Sequence, residues 1–516
     1  MAKPKKDIFT LTLPIRVAPE QERCVLISID AGRQVYNATL GESLKRLDEM
    51  RRDKRWKDAC KMAKGKARNN AFKSLAEYYG YTRNAIEAYG TRIRHTPHLK
   101  NHINAAVSQS FANRAFDTTQ DYQFGTKGRP RFRGKNRLRS MQGKSNASGI
   151  IFKYDHIKVG NMVMPVIYDG RRKEREHQKE MLVKRTKEGV IYRKVSYCRL
   201  IHKKVKGKRR WYVQVMLEGK APVKEKYQKR FEQAEGKTVG LDFGPSRLAI
   251  VSETINAYIL MAEGIQHPWQ EIRRLQREMD RSRRATNPQN YDEKGSIKKG
   301  IKLVWHKSNN YLKLQKEYQE IERKLTATRL TSHGQLANTI RSLGDQIYTE
   351  DVSHRGWQKM FGRSAKVRAS GLLQTLINRK AESAGGNVVM INTRRTRLSQ
   401  YCHMRDDYIK KTLSERQHVF PNGNTVQRDI YSAFLATCVE NDVLDTSKVK
   451  ASWQVVDSHL GYAVSTQRKL VKELSQVSGK EKKVHTKVFQ TSCDTSLSCL
   501  SGDGSMNEEY KGILVL

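Results

Sequence analysis

The sequence predicts a multidomain α+β protein, in which an N-terminal β-rich module with an inserted helical bundle precedes an α/β domain. Its 516 residues exceed the usual size of one domain, so two to four folded units are expected. Short runs of alternating apolar residues occur in the first half and predict strands. In the second half, three strand patterns precede alternating helix and strand patterns, which indicates an α/β domain.

The first module begins with an alternating strand pattern, FTLTLP, and a segment with one apolar face, VLISIDAGRQVYNATLGESLKRL, which predicts a helix. Apolar and aromatic residues recur at helical spacing from Phe72 to Asp121 and predict a helical bundle. Later runs such as IIFKYDHIKVG and RRWYVQVMLEG predict β-structure with one solvated face. We assign residues 1–40 and 119–225 to the β-rich module and residues 41–118 to the bundle.

The composition favours a polyanionic partner. Lys and Arg number 99 and Asp and Glu 52, which gives a formal net charge of +47 at pH 7. The self-repulsion of this charge is relieved when the cations pair with a phosphate backbone, so nucleic acid is the predicted partner. No segment suits a secretory signal or a transmembrane span, and the seven cysteines are scattered. A soluble cytoplasmic protein with reduced thiols and no membrane partner is therefore expected.

Three groups of residues are candidate contacts to nucleic acid. A polar segment, GTKGRPRFRGKNRLRSMQG, places an aromatic ring among alternating cations, which is typical of a phosphate track with a base-stacking side chain. A solvated basic loop without a fixed partner is the alternative interpretation of this segment. For the two arginines on a predicted helix, Arg273 and Arg277, the alternative is a solvated helix face. The candidates are Arg129, Arg131, Phe132, Arg133, Lys135, Arg137 and Arg139 in that segment, Arg273 and Arg277 on a predicted helix, and Arg394, Arg395 and Arg397 after the predicted strand NVVMIN.

The α/β domain is predicted from TVGLDFGPSRLAIVSE and NAYILMAEG, which carry three strand patterns. Two amphipathic helices follow, and then the strand DQIYTED, a helix, the strand NVVMIN and a helix that begins at RDIYSAFLATCVE. This succession is typical of the ribonuclease H-like arrangement. We assign residues 236–398 and 424–445 to this domain, residues 399–423 to an insert, and residues 446–516 to a partly flexible C-terminal extension.

Three acidic residues are candidate metal ligands. Asp242 ends an apolar strand, Glu350 ends the strand IYTE, and Asp429 directly precedes the apolar helix IYSAFLATCV. Phosphodiester cleavage commonly uses divalent ions that activate water, and Mg²⁺ prefers carboxylate ligands. The order of these acids on suitable elements favours one shared metal site.

Each acid also has a structural alternative. Asp242 could cap the turn after its strand, and Asp429 could cap the helix that it precedes. Glu350 and Asp351 point to opposite faces in an extended strand, so only one of them can join Asp242. For Glu350 and Asp351, the alternative to a metal ligand is a solvated acidic loop.

Six motifs in this order resemble the transposon-encoded TnpB nucleases and the compact type V CRISPR effectors, over approximately residues 7–440. The motifs are GRQVYNATL, GRPRFRGKNRLRSM, RRWYVQVMLEG, GLDFGPSRLAI, IYTED and QRDIYSAFLA, and the last three resemble the motifs of the family's RuvC nuclease domain. The resemblance implies that Asp242, Glu350 and Asp429 are the catalytic ligands of Mg²⁺ or Mn²⁺.

The same resemblance implies the partners and the reaction. The protein would carry a guide RNA that pairs with target DNA next to a short flanking motif, and would cleave that DNA in the cytoplasm of a prokaryotic cell. The N-terminal modules would hold the RNA and read the flanking motif. A protein of the same architecture that binds guided DNA with weak or no cleavage is the alternative.

One segment departs from the family pattern. Members commonly carry a zinc ribbon with two pairs of cysteines between the second and third nuclease motifs. The corresponding segment, RLSQYCHMRDDYIKKTLSERQHVFPNGNTVQRD, offers only Cys402, His403 and His418, and Phe420 and Asn422 stand near the place of the second pair. We therefore predict a degenerate, zinc-free insert.

Overall fold

The computed structural model describes residues 7–477 except 187, 413, 461 and 462. Of the C-terminal extension that the sequence predicts to be partly flexible, residues 446–516, residues 478–516 lie outside the described residues. In the part that is described, no helix is both long and apolar enough to cross a membrane.

The N-terminal part begins with a strand and a run of helices, as its apolar periodicity predicts. These elements are β1 (Ile8–Ile15), α1 (Pro19–Arg52), α2 (Lys54–Lys61), α3 (Lys66–Tyr78), α4 (Arg83–Arg94), α5 (Pro97–Lys100) and α6 (Ala105–Gln123). Along α1, Ile29, Tyr36, Leu40 and Leu44 are buried at helical spacing and form one apolar face. Gly32 lies on the same helix, where an added Cβ would overlap the ring of Phe111 on α6, so the two helices pack closely.

The middle of the chain is mostly β-structure. Its elements are β2 (Ser140–Gln142), β3 (Ile151–Phe152), β4 (His156–Val159), β5 (Met162–Pro165), α7 (Arg172–Glu180), β6 (Val183–Thr186), β7 (Gly189–Tyr192), β8 (Val195–Val205) and β9 (Lys208–Glu218). One antiparallel sheet has the strand order β1-β9-β8-β2. Its buried side chains, including Leu13, Leu200 and Val213, share one core with α1 and α6.

The C-terminal part alternates helices and strands. Its elements are α8 (Glu225–Gln233), β10 (Thr238–Phe243), β11 (Arg247–Ser252), β12 (Ala257–Leu260), α9 (Trp269–Thr286), α10 (Asn309–Arg341), β13 (Gln346–Glu350), α11 (His354–Met360), α12 (Gly362–Arg368), α13 (Ser370–Ser383), β14 (Asn387–Ile391), α14 (Thr393–Thr396), β15 (Tyr401–Cys402), β16 (Asp407–Tyr408), β17 (Gln417–Val419), β18 (Thr425–Gln427), α15 (Arg428–Ala436), β19 (Val439–Glu440), β20 (Val443–Leu444), α16 (Thr446–Leu460) and α17 (Gln467–Val477).

The main C-terminal sheet has the strand order β12-β11-β10-β13-β14. Strand β11 is antiparallel to both β10 and β12, whereas β13 pairs in parallel with β10, and β14 pairs in parallel with β13. Leu241 and Phe243 of β10 face a core that includes Leu336 of α10 and Leu373 of α13. The other face of the sheet packs against α15, so the sheet lies between two helical layers.

Candidate active site

Asp242 and Glu350 are neighbours across two parallel strands. In the pairing of β10 with β13, Leu241 lies opposite Thr349, so the next residue of each strand, Asp242 and Glu350, also lie side by side. Asp242 pairs on its other side with Ala249, which belongs to the core under α15. Because residues directly opposite one another share a face, both carboxylates lie on the face that α15 covers.

Asp429 reaches the same face from α15. The N-terminal cap of this helix is Gln427, whose side-chain oxygen accepts a hydrogen bond from the backbone N–H of Ile430 at 2.8 Å. Asp429 lies in the first turn, and its side chain is not used for capping. The sequence alternative in which Asp429 caps the helix is therefore wrong.

The close approach of α15 depends on Gly240. A Cβ added at this position would lie 1.8 Å from the carbonyl oxygen of Ala433. Gly240 is two residues before Asp242 on the same strand face, so the helix can lie directly on the sheet there. This contact places the start of α15 near the end of β10.

The three carboxylates influence one another electrostatically. Burial, and then repulsion by Glu350 and Asp429, holds the pKa of Asp242 well above its ordinary value, and Arg428 opposes this shift. Burial also raises the pKa of Glu350 to about 7. The protein alone therefore disfavours the charged forms of Asp242 and Glu350.

The described residues contain no group of three or more His, Cys, Asp or Glu side chains that is arranged to hold a metal ion as it stands. Asp242, Glu350 and Asp429 do not form such a group, although Glu350 and Asp429 lie close enough to raise the pKa of Asp242. Asp351 lies outside this set of three acids: it is exposed, it follows the last residue of β13, and its backbone N–H donates to the carbonyl of Ile391 at 2.8 Å. Of the two adjacent acids, Glu350 is the one beside Asp242.

Two residues at this site are not identified by the sequence analysis. The hydroxyl of Tyr258 on β12 donates a hydrogen bond to Asp429 Oδ2 at 2.9 Å. Burial and the adjacent Asp429 raise the pKa of Tyr258 to about 12, so its hydroxyl stays protonated. Arg428 places its Nε 3.7 Å from Asp429 Oδ1 and donates from Nη1 to the carbonyl of Thr412 at 2.9 Å. No local pattern marks either residue, because both contacts depend on strand and helix packing.

The basic segment before β2 is fixed along α1. Asn37 accepts a hydrogen bond from the backbone N–H of Arg133 at 2.8 Å and donates to its carbonyl at 2.9 Å. Arg129 forms an ion pair with Asp48 at 3.0 Å. The ring of Phe132 is 63% exposed and lies against Gly41, where an added Cβ would be 3.7 Å from the ring.

The other cations of this segment face solvent. Arg131, Lys135, Arg137 and Arg139 are exposed. Two apolar residues of this otherwise polar segment are buried, because Leu138 and Met141 lie in the N-terminal core. These apolar residues anchor its C-terminal end, so the segment is held at both ends.

The remaining cationic candidates lie at two other places. Arg273 and Arg277 line a groove of about 1270 Å³ along the exposed face of α9. Arg394, Arg395 and Arg397 are exposed and follow β14, whose last residue, Ile391, pairs with Glu350. Arg394, Arg395 and Arg397 therefore follow the end of the strand that lies next to Glu350.

The insert between α14 and α15 forms two short hairpins around buried rings. Strand β15 pairs with β16, and β17 pairs with β18. The ring centroid of His403 lies 4.3 Å from that of Trp453, and the centroid of His418 lies 4.4 Å from that of Tyr431; both pairs of rings are tilted. Phe420 contacts the rings of all four, at centroid distances of 4.7–5.4 Å.

Two features keep His418 neutral. Lys411 Nζ donates a hydrogen bond to its Nδ1. Burial, followed by the charge of Lys411, lowers the pKa of His418 to about 4.

No family model matches the chain, and no curated protein matches it. Matching solved structures include the cryo-EM structures of a Cas12f1–sgRNA–target DNA complex and of a CRISPR–Cas12f ternary complex. The first is 11% identical, with a TM-score of 0.43 and coverage of 81% of this chain and 82% of that chain. The second has the same identity and coverage and a TM-score of 0.24.

Proposed function

We propose that this protein is an RNA-guided DNA endonuclease, with a RuvC-type site in a ribonuclease H-like domain formed by β10–β14 and the helices on both faces. The observation that carries the proposal is the pairing of Asp242 with Glu350 across adjacent strands, with Asp429 on the same face. The motif order described above and the net charge of +47 support a nucleic-acid substrate.

The chemistry of this donor set fits Mg²⁺ or Mn²⁺. Its side chains are carboxylates, which hard divalent cations prefer. Burial raises the pKa of both Asp242 and Glu350, and repulsion by Glu350 and Asp429 adds to the shift of Asp242. A bound cation would favour the charged forms of these carboxylates. A bound ion would supply Lewis acidity, which activates water and stabilises the leaving oxygen. Asp242, Glu350 and Asp429 are the residues that would hold it.

The cationic side chains near the acids are proposed to bind the DNA backbone. Arg394, Arg395 and Arg397 lie at the sheet edge beside the acids and would bind phosphates of the target strand. This positive rim offsets the repulsion between the DNA and the carboxylates, so the strand can approach them. Arg273 and Arg277, on the exposed face of α9, provide a further cationic surface for the nucleic acid.

The basic segment on α1 is proposed to contact the guide RNA or its heteroduplex with DNA. The two hydrogen bonds between Asn37 and the backbone of Arg133 fix the segment there, so the neighbouring cations are presented with little loss of entropy on binding. The ring of Phe132 lies beside Gly41, is largely exposed and is available to stack on a base.

A guided cleavage assay tests the function. The protein is purified with its co-expressed RNA, the RNA is sequenced, and plasmids with matched or scrambled targets are incubated with Mg²⁺ or EDTA. Cleavage of the matched plasmid in Mg²⁺, and of neither plasmid in EDTA, is expected. Cleavage that ignores the guide sequence would exclude a guided nuclease, whereas guided binding without cleavage would support the alternative of a targeting protein.

The insert is proposed to fold without zinc, because packing of Phe420 and Trp453 around His403 and His418 supplies a core where the family has a metal. Dialysis against a zinc chelator is therefore expected to leave the melting temperature unchanged. Phe420→Leu should lower the free energy of unfolding by about 1–2 kcal/mol, because it removes ring contacts from a buried cluster. Thermal and urea unfolding measure both effects.

Phe124→Leu is the matched control, because Phe124 is 71% exposed and its replacement should change stability by less than about 0.5 kcal/mol. Stoichiometric zinc in the purified protein, together with a fall in melting temperature after its removal, would contradict the zinc-free insert.

A further inference from the structure

Tyr258 lies in one row with Asp242 across the main C-terminal sheet. Asp242 pairs with Ala249 on β11, and Ala249 pairs with Tyr258 on β12. Directly paired residues point to the same face, so all three side chains lie under α15. Ala249 is fully buried and small, which leaves space for the tyrosine side chain to extend above it toward the acids.

The Tyr258 hydroxyl contacts one oxygen of Asp429. It donates to Oδ2 at 2.9 Å, whereas Arg428 Nε lies 3.7 Å from Oδ1. Tyr258 and Arg428 thus contact different oxygens of the Asp429 carboxylate, and the two contacts together restrict its rotation. The ring of Tyr258 is itself held, because the guanidinium of Arg247 lies 5.1 Å from its centroid.

We propose that Tyr258 is a positioning residue that orients Asp429 for divalent metal binding, an inference that rests on the proposed nuclease function. Asp429 lies on a helix, while Asp242 and Glu350 lie on the sheet, so its carboxylate must be aligned with theirs across the interface. The hydroxyl of Tyr258 provides this alignment because it is anchored to the same sheet as the other two acids. Without it, Asp429 is free to turn toward the charged Arg428 side chain.

Tyr258→Phe tests the inference, with Tyr348→Phe as the matched control. Tyr348 also lies on the sheet, and both rings are partly buried against the same core as α15. The first substitution removes the hydrogen bond to Asp429, whereas the second removes a hydroxyl without such a bond. Both variants should have wild-type circular dichroism spectra and melting temperatures in metal-free buffer.

Two readouts distinguish positioning from packing. The first is the Mn²⁺-dependent rise in melting temperature of the full-length protein, which reports metal binding without turnover. The second is the Mn²⁺ concentration that gives half-maximal cleavage at saturating DNA. Tyr258→Phe should raise the half-saturating Mn²⁺ concentration about 10-fold in both assays, the usual effect of losing a hydrogen bond to a metal ligand. Excess Mn²⁺ should restore most of the cleavage rate, and the half-saturating DNA concentration should stay unchanged.

An Asp429→Asn background supplies a further check. If Tyr258 acts through Asp429, Tyr258→Phe should weaken Mn²⁺ binding no further when Asp429 is already replaced. Equal Mn²⁺ dependence of wild type, Tyr258→Phe and Tyr348→Phe would overturn the inference while leaving the nuclease function intact. A wild-type protein that neither cleaves DNA nor is stabilised by Mn²⁺ would instead reject the proposed function.

Discussion

Asp242→Asn is expected to reduce guided DNA cleavage by at least about 100-fold, while guide RNA and target DNA still bind. The change keeps the shape of the side chain but removes a negative charge from the proposed metal ligands. Loss of a direct ligand should exceed the 10–100-fold effect typical of the residues that orient such ligands. Cleavage rates at saturating Mg²⁺ and filter binding to matched DNA measure the two effects separately.

The same substitution should stabilise the metal-free protein. Asp242 is destabilised in its charged form by burial and by repulsion from Glu350 and Asp429, and a neutral amide avoids this repulsion. A higher melting temperature in EDTA, combined with lost cleavage, would identify a site in which stability is reduced to hold a cation.

Asp351→Asn is the matched control because this residue also carries a negative charge but is exposed. Its replacement should leave cleavage within about twofold of wild type, as expected for a surface substitution. If Asp351→Asn lost cleavage and Asp242→Asn retained it, the assignment of the three acids would be wrong.

Gly240→Ala is expected both to destabilise the C-terminal part and to abolish cleavage. The added Cβ would lie 1.8 Å from the carbonyl oxygen of Ala433 and 2.8 Å from its carbonyl carbon. Both are backbone atoms, so no side-chain rotation relieves the overlap and α15 must shift by more than about 1 Å. We expect a loss of at least about 3 kcal/mol, at the upper end of overpacking effects. The resulting displacement of Asp429 should cost at least about 100-fold in rate.

Gly334→Ala is the control for this substitution. Gly334 lies on α10, and no atom lies within 4 Å of its added Cβ, so alanine should stabilise the helix by up to about 1 kcal/mol. Urea unfolding and guided cleavage are measured for both variants. Wild-type cleavage by Gly240→Ala would show that the approach of α15 to β10 does not position Asp429.

The elements of the C-terminal part were predictable because their signals are local. The strand patterns in TVGLDFGPSRLAIVSE and NAYILMAEG predicted β10, β11 and β12, and runs of apolar residues at helical spacing predicted α9, α10 and α15. The interpretation of Asp429 as the helix cap also rested on a local signal, and it was wrong. Both Gln427 and Asp429 are compatible with the start of a helix, and only the backbone conformation showed that Gln427 is the cap.

The identity of the acid beside Asp242 was only partly predictable. Strand alternation required that Glu350 and Asp351 differ in direction, but it could not select between them. The selection depends on strand register, because Leu241 pairs with Thr349 and Glu350 therefore lies beside Asp242. Register is a relation between strands separated by more than a hundred residues, so no local pattern records it.

The sequence by itself determined the partner class that the charge favours, the succession of helices and strands, and the candidate acids. These follow from composition and from periodicities that act over a few residues. Only the tertiary structure decided that Glu350 is the neighbour of Asp242, that Gly240 admits α15, and that Tyr258 holds Asp429. The physical reason is that hydrogen bonds and steric contacts act over a few ångströms, and folding alone brings these distant parts of the chain within that range.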